Sequence, residues 1–353
     1  MKKTALALFS LLFALAPLLL PAQENNHNYN VNKDKTYEHK KEKNWNKTYP
    51  AAGKTLAIAN KFGDIKIVTS NGNQITVSVV IKTSSDNAEY AQSLIDQINV
   101  QESSKGNTLK LETKIEGQKN SKKQQCSNCN SSMQINYTVN VPASLELKLE
   151  NSFGDIEIPD YTGNITIHQK FGKLKSGMLQ NPGKVEVEFS DAQLAGANDM
   201  VGSFKFSTVN IDQLKGKNSI EFSFCEKASV DLGSGISYAE IKESYSNLNI
   251  RPASNFSAKY RIQTSFGTFT NRTAIDFDRT NEPPRYGADT HQSYEGSAGG
   301  SNIQVDIHSS FGKLVLGEPK PGDMENDKSK KKGSSGNQTK TKHKQKSGQT
   351  TVI

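Results

Sequence analysis

From residue 55 onward apolar and polar residues alternate: Leu56 and Ile58, Ile65 and Ile67, then Ile75, Val77, Val79 and Ile81. A period of two sets one row of side chains on a buried sheet face, so these stretches are predicted strands. At 86 the period changes. Asp86-Asn87-Ala88-Glu89 has the form of a capping box, with Asp86 at the N-cap and Glu89 three residues on. Behind it Tyr90, Leu94 and Ile98 recur every four residues, with Ala91 and Ile95 beside them. That spacing predicts one amphipathic helix over about 86–98. Strand pattern returns at 108–115, 133–141 and 145–150, around a polar stretch at 116–132. Residues 51–142 therefore read as a small α+β module with one helix lying on a sheet.

From 151 a repeat takes over: aromatic, small, any, aliphatic, any, aliphatic. Its best copies are Phe153-Gly154-Asp155-Ile156-Glu157-Ile158 and Phe171-Gly172-Lys173-Leu174; Tyr245-Ser246-Asn247-Leu248-Asn249-Ile250 is a good one, and Phe311-Gly312-Lys313-Leu314-Val315-Leu316 follows. Phe189, Phe206, Phe224 and Phe266 head the others, and Phe62-Gly63-Asp64-Ile65-Lys66-Ile67 is an outlying copy in the first module. Aromatics from 153 are spaced by 18, 18, 17, 18, 21, 21 and 45 residues. The last gap holds an insertion, about 275–301, rich in Pro, Gly and Ser and predicted to be a long loop. A unit of about 20 residues cannot bury its own apolar face, but stacked copies share one. The aromatic and the first aliphatic lie three apart and would face opposite sides of an unbroken strand. A corner at the Gly-x step is expected to turn both inward, giving an internal aromatic column. The predicted fold is mainly β: a β-solenoid of ~20-residue coils over 143–317, preceded by the α+β module.

The repeated [Phe/Tyr]-[Gly/Ser]-x-[Ile/Leu]-x-[Ile/Leu] units resemble the putative-adhesin family of exported bacterial β-solenoid proteins (domain of unknown function 4097, head-GIN-like). The order of leader, small module with a capped helix, polar loop and NSFGDIEI is similar too. The resemblance spans about 50–317 and implies architecture far more than activity. It leaves out the insertion and the chain's last residues.

Residues 1–23 read as a secretory signal peptide: Lys2 and Lys3, an apolar stretch over 5–20 broken by Pro17, then Pro21-Ala22-Gln23. The mature chain is expected to carry no transmembrane span and to reside in the periplasm, on the outer-membrane surface or outside the cell. Residues 24–50, rich in Asn and Lys, read as a disordered lead-in, with Trp45 capping the edge of the first sheet. Residues 318–353 read as a disordered Lys-rich tail, with nine Lys over 320–353. Residues 24–319 carry 33 basic and 33 acidic side chains. A neutral body excludes a fold built for nucleic acid, and a tail without aromatics excludes specific single-strand binding. The tail's expected partner is an anionic envelope polymer.

Candidate chemistry is sparse. Cys126 and Cys129 have CxxC spacing in a polar loop, which suggests a local disulfide rather than a redox or zinc site. Cys225 fills the small-residue slot of its copy. None of His27, His39, His168, His291, His308 and His343 has metal spacing with another; only His168, His291 and His308 could share a site. Asp64 and Asp155 hold the same slot, where aligned carboxylates could form a glycosidase pair or a calcium ladder. The next occupants are Lys173, Asp191, Thr208 and Glu226, a scatter that suits a solvated corner. No catalytic, cofactor or metal residues are assigned. The reading is a non-enzymatic exported envelope protein, an adhesin that offers a β-solenoid surface to a protein or polysaccharide. The alternatives are an envelope-stress partner-binding protein and, further off, a β-helix carbohydrate-active enzyme.

Overall fold

The computed structural model describes residues 37–116 and 129–324. The described chain is mainly β with one helix, and its strands join in one hydrogen-bonded sheet. Each repeat gives one strand before its aromatic and one after it, and each strand lies parallel to its counterpart in the next unit. Ile167 stands between Leu149 and Val185, and Leu174 stands between Ile156 and Ala192. The inward residues make one continuous apolar core running through the units. Each fully buried Val, Ile or Leu contributes about 1.5–3 kcal/mol, so units too short to fold alone are held by their neighbours.

The expected boundary at 142/143 does not divide the molecule. Thr55–Lys61 lies parallel to Glu146–Ser152, and Ile65–Ser70 runs parallel to Ile156–Ile158. The outlying Phe62 copy is therefore the first rung of the array. The residues between it and Phe153 build that end. Gln74–Ser85 runs antiparallel between His39–Pro50 and Ser131–Pro142, while Ile98–Lys105 and Thr108–Ile115 form a hairpin beside Thr55–Lys61. The helix, Ala88–Gln97, buries Ala91, Leu94 and Ile95. Its N-cap is Asn87 rather than Asp86, with Asn87 Oδ1 accepting from Tyr90 N at 2.8 Å. Asp86 is instead occupied by Asn130, whose Nδ2 donates to it at 2.9 Å. The expected lead-in also needs correction, because its last twelve residues form the strand His39–Pro50. Its polar sequence folds because Gln74–Ser85 supplies the ladder and because Lys41, Lys43, Trp45 and Tyr49 lay half-buried stems on the sheet. Its lysines also blunt an exposed edge.

At the other end, chain order and stacking order part. Gln304–Ser310 slides between Lys227–Ser244 and Ala258–Ser265, and Lys313–Gly317 between Asn247–Pro252 and Thr268–Arg272. The Phe311 unit thus sits between those of Tyr245 and Phe266. The insertion is more than a loop. His291–Ala298 runs antiparallel along Ala258–Ser265, with Phe277–Arg279 antiparallel outside it, so the outer edge of Ala258–Ser265 is covered. Arg279 clamps Asp289 with two bonds of 2.6 and 2.8 Å, and only the tip projects, with Tyr286 93% exposed. The tail boundary moves as well: Arg272 holds Asp323 by two bonds of 2.9 and 2.7 Å, fastening residues 318–323 to the end of the array. The leader, Cys126 and residues from 325 onward lie outside the described residues.

Candidate binding surface

Nine of the ten non-glycine residues with positive φ among the described residues are the repeat aromatics, at 51–62°; the tenth is Asp199. The corner therefore lies at the aromatic itself, not at the Gly-x step. A left-handed residue there lets the positions two before and three after both face the core, and it turns its own side chain out. The expected internal column is thus an external one. Phe62, Phe153, Phe171, Phe189, Phe206, Phe224, Tyr245, Phe311 and Phe266 follow each other in space with ring centroids 4.8–5.2 Å apart and planes within 10° of parallel. That is the rung spacing of a sheet. Each ring covers its neighbours' faces and shows its edge, so exposures run from 37% to 55%. His291 closes the far end, edge-on to Phe266 at 5.3 Å.

The small residue after each ring is required by closeness rather than by φ. A methyl on Gly154 would stand 2.0 Å from the carbonyl oxygen of Gly63, and one on Gly172 2.0 Å from that of Gly154. Where this slot is Ser or Cys, its side chain joins the ladder. Ser190 Oγ donates to Glu188 O at 2.8 Å and accepts from Gly172 N at 3.2 Å; Ser207 Oγ donates to Lys205 O at 2.7 Å and accepts from Ser190 N at 3.2 Å.

Two residues before each ring runs a buried column absent from the sequence reading: Asn60, Asn151, Gln169, Val187, Phe204, Phe222, Glu243, Ser309 and Thr264 in stacking order. Its chemistry answers the small slot. Beside Gly63, Gly154 and Gly172 it is an amide: Asn60 Nδ2 reaches Gly63 O at 3.1 Å and Gln169 Nε2 reaches Gly154 O at 2.6 Å. Beside Ser190, Ser207 and Cys225, which bond the backbone themselves, it is apolar, and Phe204 and Phe222 stack inside at 5.4 Å. Asn-x-Phe, Asn-x-Phe and Gln-x-Phe before the glycine copies were the legible sign. Glu243, only 3% exposed, bonds Ser309 Oγ and takes Ser246 N–H at 3.0 Å. Burial pushes its carboxyl up to about 7 despite those donors.

The ribbon's flanks differ in charge. On the side of the residue before each ring stand Lys61, Lys170 and Lys205, with Glu188 the one acid. On the other stand Asp64, Asp155, Asp191 and Glu226, with bases at Lys173 and Lys313. The carboxylates of Asp64 and Asp155 are joined to the backbone: Asp64 Oδ1 accepts from Asp155 N at 2.9 Å, and Asp155 Oδ1 from Lys173 N at 2.8 Å. Shallow clefts run along this second flank. One of about 510 Å³ lies beside Phe189, Phe206 and Phe224, and one of about 540 Å³ beside Tyr245, Phe311 and Phe266.

The remaining candidates do not converge. Among the described residues no group of His, Cys, Asp and Glu could hold a metal ion. His168 lies 3.9 Å from Glu188, His308 bonds Gln263 at 3.1 Å and His291 bonds Thr290 at 2.9 Å. His168 and His308 share a column but stand five rungs apart. Cys225 is a buried free thiol, its pKa raised by burial. No described helix is long and apolar enough to cross a membrane.

No family model and no curated protein matches the chain. Solved structures that it resembles include a putative adhesin from Bacteroides fragilis, at 11% identity and a TM-score of 0.38, covering 78% of this chain and 97% of that one. A putative lipid binding protein from Parabacteroides distasonis gives 11%, 0.32, 78% and 97% in the same order. A putative cell adhesion protein from Clostridium sporogenes gives 10%, 0.20, 79% and 100%.

Proposed function

We propose that this chain is a non-enzymatic, exported envelope protein of the adhesin kind, whose repeat array is a β-solenoid and whose aromatic ribbon is its contact surface. The ribbon carries the reading. A non-glycine residue in the left-handed region costs roughly 1–2 kcal/mol, and Gly or Asn would make the same corner more cheaply. Nine corners nevertheless hold an exposed ring. An adhesive role accounts for a long, regular surface of exposed rings. The Lys-rich tail adds a second, charge-driven attachment to anionic envelope polymers, screened over ~8 Å at physiological salt.

The test is retention of the mature chain on intact bacterial envelope, at salt high enough to screen the tail's attachment. Phe153→Asn, Phe189→Asn and Phe224→Asn together remove three rings while keeping a residue that accepts the left-handed corner. Loss of retention with an unchanged circular dichroism spectrum is the expected result. Retention equal to that of the unaltered protein would place the contact surface elsewhere.

A further inference from the structure

The ribbon's partner can be read from its size, period and flanks. We infer that it is a second copy of this chain, the two ribbons packing side by side about a two-fold axis parallel to the stack. This rests on the ribbon being a contact surface, as proposed above. Nine rings of roughly 200 Å² each, about half exposed, offer on the order of 900 Å² of contiguous surface. The largest apolar patch on a typical monomer is ~300–600 Å², whereas each side of a standard protein interface covers ~800 Å². The area is that of half a dimer.

Period then selects the partner. Eight centroid spacings of 4.8–5.2 Å carry the ribbon about 40 Å. A surface with any other repeat falls out of step along that length; a second copy has the same repeat at every rung. The shape is self-complementary, because a ridge of rings lies beside a cleft on the same flank. A two-fold axis along the stack seats each ridge in the other's cleft, with like rungs level. With like rungs level, Lys61 meets the partner's Asp64 while Lys170 meets the partner's Lys173 and Glu188 meets the partner's Asp191, so the charged flanks roughly cancel and the rings and clefts carry the contact. The body over 24–319 has zero net charge, so two copies approach without long-range repulsion.

Sedimentation velocity on the mature chain over a micromolar concentration series tests this. The expected result is a reversible species of twice the chain's mass. Phe189→Asn/Phe206→Asn/Phe224→Asn should weaken the association by about tenfold or more per ring. Thr208→Arg fills the cleft from an exposed position and leaves the stack intact, so it should abolish the dimer even if the triple variant folds poorly. A chain that stays monomeric throughout overturns the inference, as does a dimer that both variants leave unchanged. A monomer whose envelope retention still depends on its rings overturns the second copy alone and sustains the contact surface. A dimer lost on ring removal, with retention unchanged, sustains the second copy and overturns the envelope-contact reading.

Discussion

Glu243 should make this protein less stable as pH rises through the mildly acidic range, and Glu243→Gln should remove that dependence. The side chain stands in the buried column two residues before Tyr245, where other rungs place an amide, a hydroxyl or an apolar group. Its carboxyl lies against Gly312, so close that a methyl there would stand 2.2 Å from Oε1. Ser309 Oγ and the Ser246 N–H favour the charged form, but burial outweighs them and raises the carboxyl from 4.5 to about 7. In the unfolded chain it titrates near 4.5. Between these values the unfolded chain gives up the proton while the folded chain keeps it. The folded state binds more protons, so stability falls as pH rises across this window and levels off above it. A gap of about 2.5 pH units, at 1.36 kcal/mol each, corresponds to about 3 kcal/mol.

Urea denaturation of both proteins at intervals from pH 4.5 to 8 measures this. The unaltered protein should lose about 3 kcal/mol relative to the variant across the range, most of it between pH 5 and 7. Glutamine keeps an acceptor for Ser246 N–H and a donor in place of the carboxylic proton, so the two proteins should be closest in stability near pH 4.5. Parallel curves for the two proteins would show that the buried carboxyl is ionised throughout, and would refute the argument from burial.

The inside-outside distinction among aromatics gives a second prediction: Phe171→Ala removes a half-exposed ring with two stacked neighbours and should cost about 2 kcal/mol, against ~3–5 for the fully buried Phe204→Ala. Equal losses by chemical denaturation would return the corner rings to the core. Truncation after 324 should leave the melt unchanged yet abolish salt-sensitive retention on an anionic matrix, while truncation after 317 also removes Asp323 and should lower the melt. Because Arg272 holds the Asp323 carboxyl at about 2 against an ordinary 3.8, that second difference is fully present above pH 3.8 and is lost as pH falls toward 2. Without reductant, thiol titration should find no reactive cysteine in the native chain and one, Cys225, in urea; three in urea would exclude a Cys126–Cys129 disulfide.

The mainly β character, the strands and the single helix were legible because alternation is imposed by burial on one sheet face. The repeat fixed the rung positions for the same reason. What the pattern could not show was which side of the wall the aromatic occupies. A large apolar residue at constant spacing reads as core by default, and only φ, which no periodicity reports, sends it outward. The position of the Phe311 unit was hidden for another reason: parallel rungs need not stack in chain order, and the 45-residue gap gave no sign that the chain covers the outer edge of Ala258–Ser265 before returning inside it. His39–Pro50 was misread because composition weighs residues singly, while a polar strand borrows its ladder from Gln74–Ser85.

The corner shows how opposing terms of similar size can set a surface. Left-handed backbone costs roughly 1–2 kcal/mol at each ring. Offset stacking returns about 0.5–1.5 per neighbouring pair, and eight pairs join the nine rings. Half-burial of each ring adds about 1 kcal/mol or more. The ribbon is thus roughly neutral to folding as a whole, although no single ring would be so without its neighbours. A ring isolated at such a corner would keep the strain and lose the stacking. This explains why the aromatics form an unbroken run from Phe62 to Phe266, and why the far end is closed by His291 rather than left open. It also separates stability from recognition: because the stack does little more than offset its own strain, replacing rings with Asn, which tolerates the corner, should change what the surface binds far more than whether the array folds.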